Sequence, residues 1–249
     1  MQHQNLLIDD ADGVRTLTIH RPERRNAMDS TLAAALLNAL READMAPIVG
    51  AVLLTATGSV FCAGADLGEF KGERADPDAE SRRSDLFLEL QLAFEQIRVP
   101  VVCALTGAAI GAGASIAIAA DLTVMGEGAR LAYPEIVHGM VPSLVIGHLQ
   151  KRIGRKQAFD LLATGDPVYA PQALALGLAS RVLPDADVLE GARTLARSLA
   201  SRDRRTMRET KELFVTTLPL SLPDALRAGR EAGRMRQARA AQAALQAQT

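Results

Sequence analysis

Val101-Val102-Cys103-Ala104-Leu105-Thr106-Gly107-Ala108-Ala109-Ile110-Gly111-Ala112-Gly113-Ala114-Ser115-Ile116-Ala117-Ile118-Ala119-Ala120 sets the architecture of this chain. The first five residues are an uninterrupted apolar run, the signature of a strand buried on both faces. Gly107 to Gly113 is a loop of small residues. Ala114 to Ala120 has no polar face, so the helix it predicts is buried all round. Upstream, Ile48 to Thr55 reads as another buried strand. Phe61 opens a further extended piece, and Ala65 to Phe70 reads as a short helix. Downstream, Leu122 to Met125 and Arg130 to Tyr133 read as strands. Strands alternating with helices predict an α/β core.

The flanks follow from the same patterning. Leu6 to Ile8 and Val14 to Ile19 flank Asp10-Ala11-Asp12-Gly13, a hairpin signal. Asp29 or Ser30 caps a helix carrying Leu32, Leu36, Leu37 and Leu40. Lys71 to Ser84 is charged and reads as a long loop or frayed helix of the kind that covers sites. Helix resumes from Ser84 with Leu86, Leu90, Ala93, Phe94 and Ile97 facing inward, and Pro100 stops it. After Leu144 the pattern turns fully helical, over 145–153, 155–163, 171–176, 187–200, 204–216 and from Pro223 onward. Two regions are expected, an α/β core over 1–190 and a helical region over 191–249.

The chain has 249 residues, a net charge of -1 and 48% hydrophobic residues, as in a single large folded domain. That balance gives no support to nucleic-acid binding. The short basic clusters Arg21 to Arg25 and Arg202 to Arg208 read first as solvated faces, and second as attractors of a polyanion such as a nucleotide phosphate. Cys62 and Cys103 sit in apolar runs and read as buried free thiols, too few for a cysteine-based zinc site. No metal site is expected. The N-terminal residues lack a basic stretch followed by an apolar one, and Ile110 to Val124 is shorter than a membrane span. A cytoplasmic protein without membrane partners is expected.

Three segments carry the chemistry: Phe61-Cys62-Ala63-Gly64-Ala65-Asp66-Leu67, Gly107 to Ala114, and Tyr133-Pro134-Glu135. Small residues let backbone N–H groups approach a ligand. Two such groups aimed at one oxygen form an oxyanion hole, and a nearby carboxylate moves a proton. Other readings fare worse. Gly111-Ala112-Gly113 begins a dinucleotide fingerprint, but Ile116 stands where the third glycine belongs. Gly113-Ala114-Ser115-Ile116-Ala117 loosely matches a nucleophile elbow, whose serine needs a histidine, here His138 or His148. The plainer reading of Ser115 is a buried hydroxyl bonded to the backbone one turn earlier.

The combination resembles the crotonase (enoyl-CoA hydratase/isomerase) superfamily from the N-terminal hairpin to about residue 215. Arg21-Pro22 with Asn26-Ala27, the Phe61 to Leu67 segment, Gly107 with Gly111 to Gly113, Asp121, Pro134-Glu135 with Gly139 and Pro142, and Arg152-Ile153-Gly154 carry the likeness, with Ala170, Ala173 and Gly177-Leu178 after them. The resemblance implies a ClpP/crotonase-like spiral core of repeated ββα units, a C-terminal helical trimerisation region, and a homotrimer or hexamer. It places a thioester oxygen between the N–H groups of Ala65 and Ala112, a position usually glycine in the family. It makes Glu135 the general acid/base. Arg25, Ala27, Ala63, Asp66, Leu67, Gly68, Gly111, Ser115, Pro134 and His138 become candidate contacts to the acyl-CoA, with Arg24 beside them for the phosphates. No cofactor is implied, because coenzyme A arrives as part of the substrate.

Hydratases of the family use two glutamates, and Ser115 stands where one belongs. Serine is not a strong base at neutral pH. A lone carboxylate suits moving a proton between two carbons of an enoyl thioester, so the departure tilts the expectation toward double-bond isomerisation. The alternatives are a hydratase working with one glutamate and a non-catalytic acyl-CoA binder. Glu69, Asp85 and Glu89 are the candidates for a second acid, and Tyr133 and His138 for the pocket wall. The Ala- and Gln-rich end, Ala228 to Thr249, lacks the aromatic pattern with which many family members cover the acyl site.

Overall fold

The computed structural model describes residues 4–69 and 77–246. Two strands, β1 (Leu6–Ala11) and β2 (Val14–Ile19), form the hairpin. Asp12 and Gly13, both at positive φ, make its tight turn. Helix α1 (Ser30–Met45) follows, and of the two expected caps Asp29 takes the role, accepting from the Leu32 N–H at 2.8 Å. Then come β3 (Ala51–Ala56), β4 (Val60–Cys62), α2 (Pro77–Gln96), β5 (Val101–Leu105), β6 (Ala108–Ile110), α3 (Ala112–Ala119), β7 (Leu122–Gly126) and β8 (Arg130–Ala132).

The strands form two sheets. The larger runs β1-β2-β3-β5-β7-β10, all parallel after the hairpin, and the smaller runs β4-β6-β8-β9. Each turn of chain adds one strand to the large sheet, the next to the small sheet, and then, for the turns that start with β3 and β5, a helix. This is the expected ββα spiral. The apolar runs read as doubly buried strands lie between two cores. Val52, Leu54, Val101, Cys103 and Leu105 point into one, and their alternates Ala51, Leu53, Val102 and Ala104 into the other.

Several expectations shift. Ile48 is exposed, and its strand starts at Ala51. The Gly107 to Gly113 loop contains strand β6, and its helix starts at Ala112. Residues 71–76 of the expected loop lie outside the described residues, as does Phe70. From Pro77 the chain is already helical, so the charged stretch forms the first two turns of α2. The segment after Leu144 is not purely helical. Between α4 (Ile146–Arg152), α5 (Arg155–Thr164) and α6 (Ala170–Leu176) and the later helices lie β9 (Val168–Tyr169) and β10 (Arg181–Leu183), each too short for a hydrophobic period.

The expected boundary at residue 190 falls inside α7 (Val188–Ala200). This helix covers the outer face of the large sheet with Val188, Ala192, Leu195 and Ala196. Helix α8 (Arg204–Thr217) is tied to the core by polar anchors. Lys211, 7% exposed, donates from Nζ to Asp121 at 2.7 Å and to the Phe94 and Val99 carbonyls. Arg204 and Arg208 bind the carbonyls of Asp44, Ala46 and Val49. The basic cluster over 202–208 is therefore in part an anchor and not only a solvated face. Helix α9 (Leu222–Gln246) packs against α8. Among the described residues no helix is long and apolar enough to cross a membrane.

Candidate active site

β4, β6 and β8 are neighbouring parallel strands of the small sheet, paired through Cys62↔Ala109 and Ile110↔Ala132. Their carboxyl ends are therefore level. Each of the three chemistry-bearing segments includes the point where the chain leaves one of these strands, so residues some fifty and twenty positions apart meet at one edge. A cavity of about 340 Å³ opens there, and a recess of about 300 Å³ adjoins it through Ala63, Ala65 and Leu67.

After β4 the chain is held against the loop before α1. The Met28 N–H donates to the Gly64 carbonyl and the Asp66 N–H to the Met28 carbonyl, both at 2.8 Å. In such a parallel bridge the N–H of the middle residue, Ala65, points the other way. After β6, Gly111 adopts φ 51°, ψ -117°, a conformation reserved for glycine, and starts α3. Ala112 is the first residue of that helix, so its N–H has no intrahelical acceptor. Neither N–H has a partner among the described residues. The two loops lie close together: a Cβ built on Gly64 (φ +93°) would lie 3.0 Å from the Ile110 carbonyl oxygen and 3.8 Å from the Ala112 nitrogen.

After β8, Tyr133 is fully buried and a short 3-10 helix, Pro134–His138, carries Glu135. Its carboxylate rests on the Gly111 turn, where a Cβ would lie 2.6 Å from Oε1. Burial pushes the Glu135 carboxyl above its ordinary range, against the opposing pull of its own N–H and of His138. Oε2 is sealed from the surface without a hydrogen-bond partner, as is the Tyr133 hydroxyl. Tyr133 lies beneath the site and not on the cavity wall, contrary to expectation, because strand β8 turns it into the core.

Of the expected contacts, Ala63, Ala65, Leu67, Gly111, Ala112, Pro134, Glu135 and His138 line the cavity, while Arg25, Ala27, Asp66 and Gly68 line the recess. Arg25 sits at φ 52° beside the recess. Asp66 is turned toward its own loop: it accepts from the Gly68 N–H at 2.9 Å, from Arg21 at 3.3 Å and from Arg24 at 3.3 Å. Burial raises the Asp66 carboxyl, but these donors more than offset that and hold it below its ordinary value.

Ser115 does not line the cavity. It is fully buried, and its hydroxyl donates to Gln91 Oε1 at 3.2 Å instead of to the preceding turn. Its partner is not a histidine, which removes the nucleophile-elbow reading. His148 instead meets the Gln91 carbonyl and Arg152. Of the three candidate second acids, Glu69 caps α1 through the Ser30 N–H and hydroxyl, Glu89 pairs with Arg41, and Asp85 is exposed; none reaches the cavity.

Helix α2 supplies the wall that sequence reasoning missed. Glu80, Arg83, Ser84, Phe87 and Gln91 face the cavity, with Met140 and Val141 opposite. Their spacing of three and four residues is a helix face. Glu80, Arg83 and Ser84 fall in the stretch read as a long loop or frayed helix, and Phe87 and Gln91 in the helix read after it. Cys62 and Cys103 are buried free thiols as expected, and burial raises both, Cys62 to about 11. Among the described residues no three His, Cys, Asp or Glu side chains cluster to hold a metal.

The comparisons with known proteins agree with this fold. The family model described as enoyl-CoA hydratase/isomerase matches residues 9–245. A Thermus thermophilus protein named "Putative enoyl-CoA hydratase" is 39% identical over 217 residues, 86% of this chain and 85% of that protein. The crystal structure of human enoyl-CoA hydratase domain-containing protein 3 superposes with a TM-score of 0.90 at 26% identity, covering 94% of this chain and 92% of that one. An enoyl-CoA hydratase of Mycobacterium smegmatis gives 0.88 at 30% identity, over 94% and 91%. The crotonase-like architecture expected from the sequence is the one the chain adopts. The chain belongs to the enoyl-CoA hydratase/isomerase family of enzymes.

Proposed function

We propose that the cavity takes the acyl part of an enoyl-CoA thioester and that Glu135 moves its protons. The observation that carries this is the seat of Glu135, whose carboxylate rests on the turn that presents the Ala112 N–H. A thioester oxygen set between the N–H groups of Ala65 and Ala112 would have its α-carbon within reach of that carboxylate. Removing the α-proton sends charge onto the oxygen, where the two donors stabilise it; losing one such donor costs ~3 kcal/mol of transition-state stabilisation. The raised pKa suits a group that must both take and return a proton near neutrality.

The favoured reaction is double-bond isomerisation. Glu135 takes the proton from C2 of a β,γ-enoyl thioester and returns it to C4. The Ser115 hydroxyl bonded to Gln91 supports this, since neither group is a base, and among the described residues the other carboxylate on the cavity wall, Glu80, is exposed. The recess, with Arg24 and Arg25 at its edge, would receive the CoA portion. No metal or redox group is required. The exposed Val137, Val141 and Phe159 support a homotrimer or hexamer in which neighbours cover them. The two free buried thiols fit a reducing, cytoplasmic setting.

The test is proton NMR of β,γ- and α,β-enoyl-CoA with the protein in deuterated water, beside Glu135→Gln. Double-bond migration lost in the variant is the expected result. A 3-hydroxyacyl product would replace isomerase by hydratase. Thioester binding without exchange or migration would leave a non-catalytic acyl-CoA binder.

A further inference from the structure

We infer that Gln91 determines specificity in this cavity, and that the preferred acyl group carries an oxygen that accepts a hydrogen bond from its carboxamide. The inference rests on the proposal that the cavity takes the acyl part of a CoA thioester. Gln91 is only 5% exposed, yet its side chain lines the cavity. Its Oε1 accepts from the buried Ser115 hydroxyl at 3.2 Å, which fixes the plane of the amide. Its backbone carbonyl meets His148 Nε2 at 3.3 Å, which steadies the helix at that residue. The Nε2 group has no partner among the described residues, and it is not one of the sealed, unpaired polar atoms of the interior. Its N–H groups therefore open into the cavity.

A plain alkyl chain lying there would cover those N–H groups without satisfying them. A buried donor left unpaired is a penalty, and a site built to hydrogen-bond a substrate group rejects the analogue that lacks it. The rest of the lining shows that apolar contact was available: Phe87 one turn earlier on α2, and Met140, Leu144 and Val145 on the facing segment. The place of the oxygen along the chain follows from Ser115. It lies three residues after Ala112 on α3, a rise of about 4.5 Å. The carboxamide it holds is therefore near the thioester and not at the far end of a long acyl chain. The carboxylate of a short dicarboxylic acyl group fits that distance.

The experiment is calorimetric titration of the full chain with a matched pair, glutaryl-CoA against valeryl-CoA, and with free CoA. Glutaryl-CoA is expected to bind about ten- to hundredfold tighter than valeryl-CoA, the worth of one hydrogen bond to a charged group. Gln91→Leu should abolish that preference, bind the alkyl member as well or better, and leave the affinity for free CoA unchanged. Ser115→Ala, which frees the carboxamide to turn, should weaken the preference and decides the matter if Gln91→Leu does not fold. No preference in the wild type, or a preference that survives these substitutions, overturns the inference while leaving the site intact. Failure of valeryl-CoA and glutaryl-CoA alike to bind would instead overturn the assignment of the cavity, and this inference with it.

Discussion

Replacing Gly111 by alanine should damage activity far more than stability, and the structure gives both sizes. The backbone there, φ 51° and ψ -117°, is closed to residues with a Cβ, so the new methyl group costs about 1–3 kcal/mol of strain. For a chain of this length that corresponds to a fall in Tm of roughly 2–12 °C. The methyl carbon would also lie 2.6 Å from Glu135 Oε1. The end of a glutamate side chain retreats easily, so the clash adds little to the unfolding balance. The retreat must be roughly 1 Å, and a displacement of that size at a reacting group costs on the order of 10²-fold in rate. Thermal unfolding gives the first quantity, and deuterium exchange into an enoyl-CoA gives the second. The decisive comparison is a double-mutant cycle with Glu135→Gln. If the methyl group acts through the carboxylate, Gly111→Ala should slow the Glu135→Gln protein hardly at all. Exchange within threefold of wild type in Gly111→Ala, or an equal loss in both backgrounds, would refute the reasoning.

Two further outcomes follow from buried charges. Lys211→Met should destabilise the fold by about 2–4 kcal/mol, toward the lower end of the cost of breaking a buried pair because Asp121 keeps partial solvent contact and the Val101 N–H, with urea unfolding as the readout; a loss under about 1 kcal/mol would show that the Lys211–Asp121 pair does not hold α8. Glu135 sets a pH dependence of stability whose sign is fixed by its raised pKa: between the ordinary carboxylate value and the raised one, the folded form keeps a proton that the unfolded form has lost, so its contribution to stability falls as pH rises through that window. Glu135→Gln should flatten that part of the curve and gain on the wild type above it, and parallel curves for the two proteins would remove Glu135 as the cause.

The core of the fold was legible because parallel strands buried on both faces leave no choice of residue. Val101 to Leu105 could be read as a strand from five apolar residues, and the structure shows why all five are apolar: alternate side chains enter two different cores. β6 was hidden because Ala108 to Ile110 has the small residues of a turn, and its neighbours β4 and β8, not its own propensity, make it a strand. β9 and β10 have two and three residues, below any period that could reveal them. The boundary placed at 190 missed that α7 is needed as the outer layer of the large sheet. Nothing in the amphipathic pattern of a helix says whether its apolar face meets its own domain's sheet or another helix.

The catalytic candidates were legible for a different reason, and the same reason explains what was missed. Ala65, Ala112 and Glu135 each follow a strand of the small sheet, at the points where the chain must leave it. Such exits need unusual backbone, and unusual backbone leaves a visible mark: Gly64 at φ +93°, Gly111 at φ +51°, Pro134 at the start of a 3-10 turn. The wall built by α2 leaves no such mark, because an ordinary helix can present any side chain to a cavity without altering its own geometry. Glu80, Ser84 and Gln91 therefore look like the solvated residues around them until the sheet is in place. Position in the fold, not residue type, turns Gln91 from a surface amide into a buried donor. The strand exits around the cavity can thus be located from sequence, while the side chains on its wall have to be found on the helix that crosses over them.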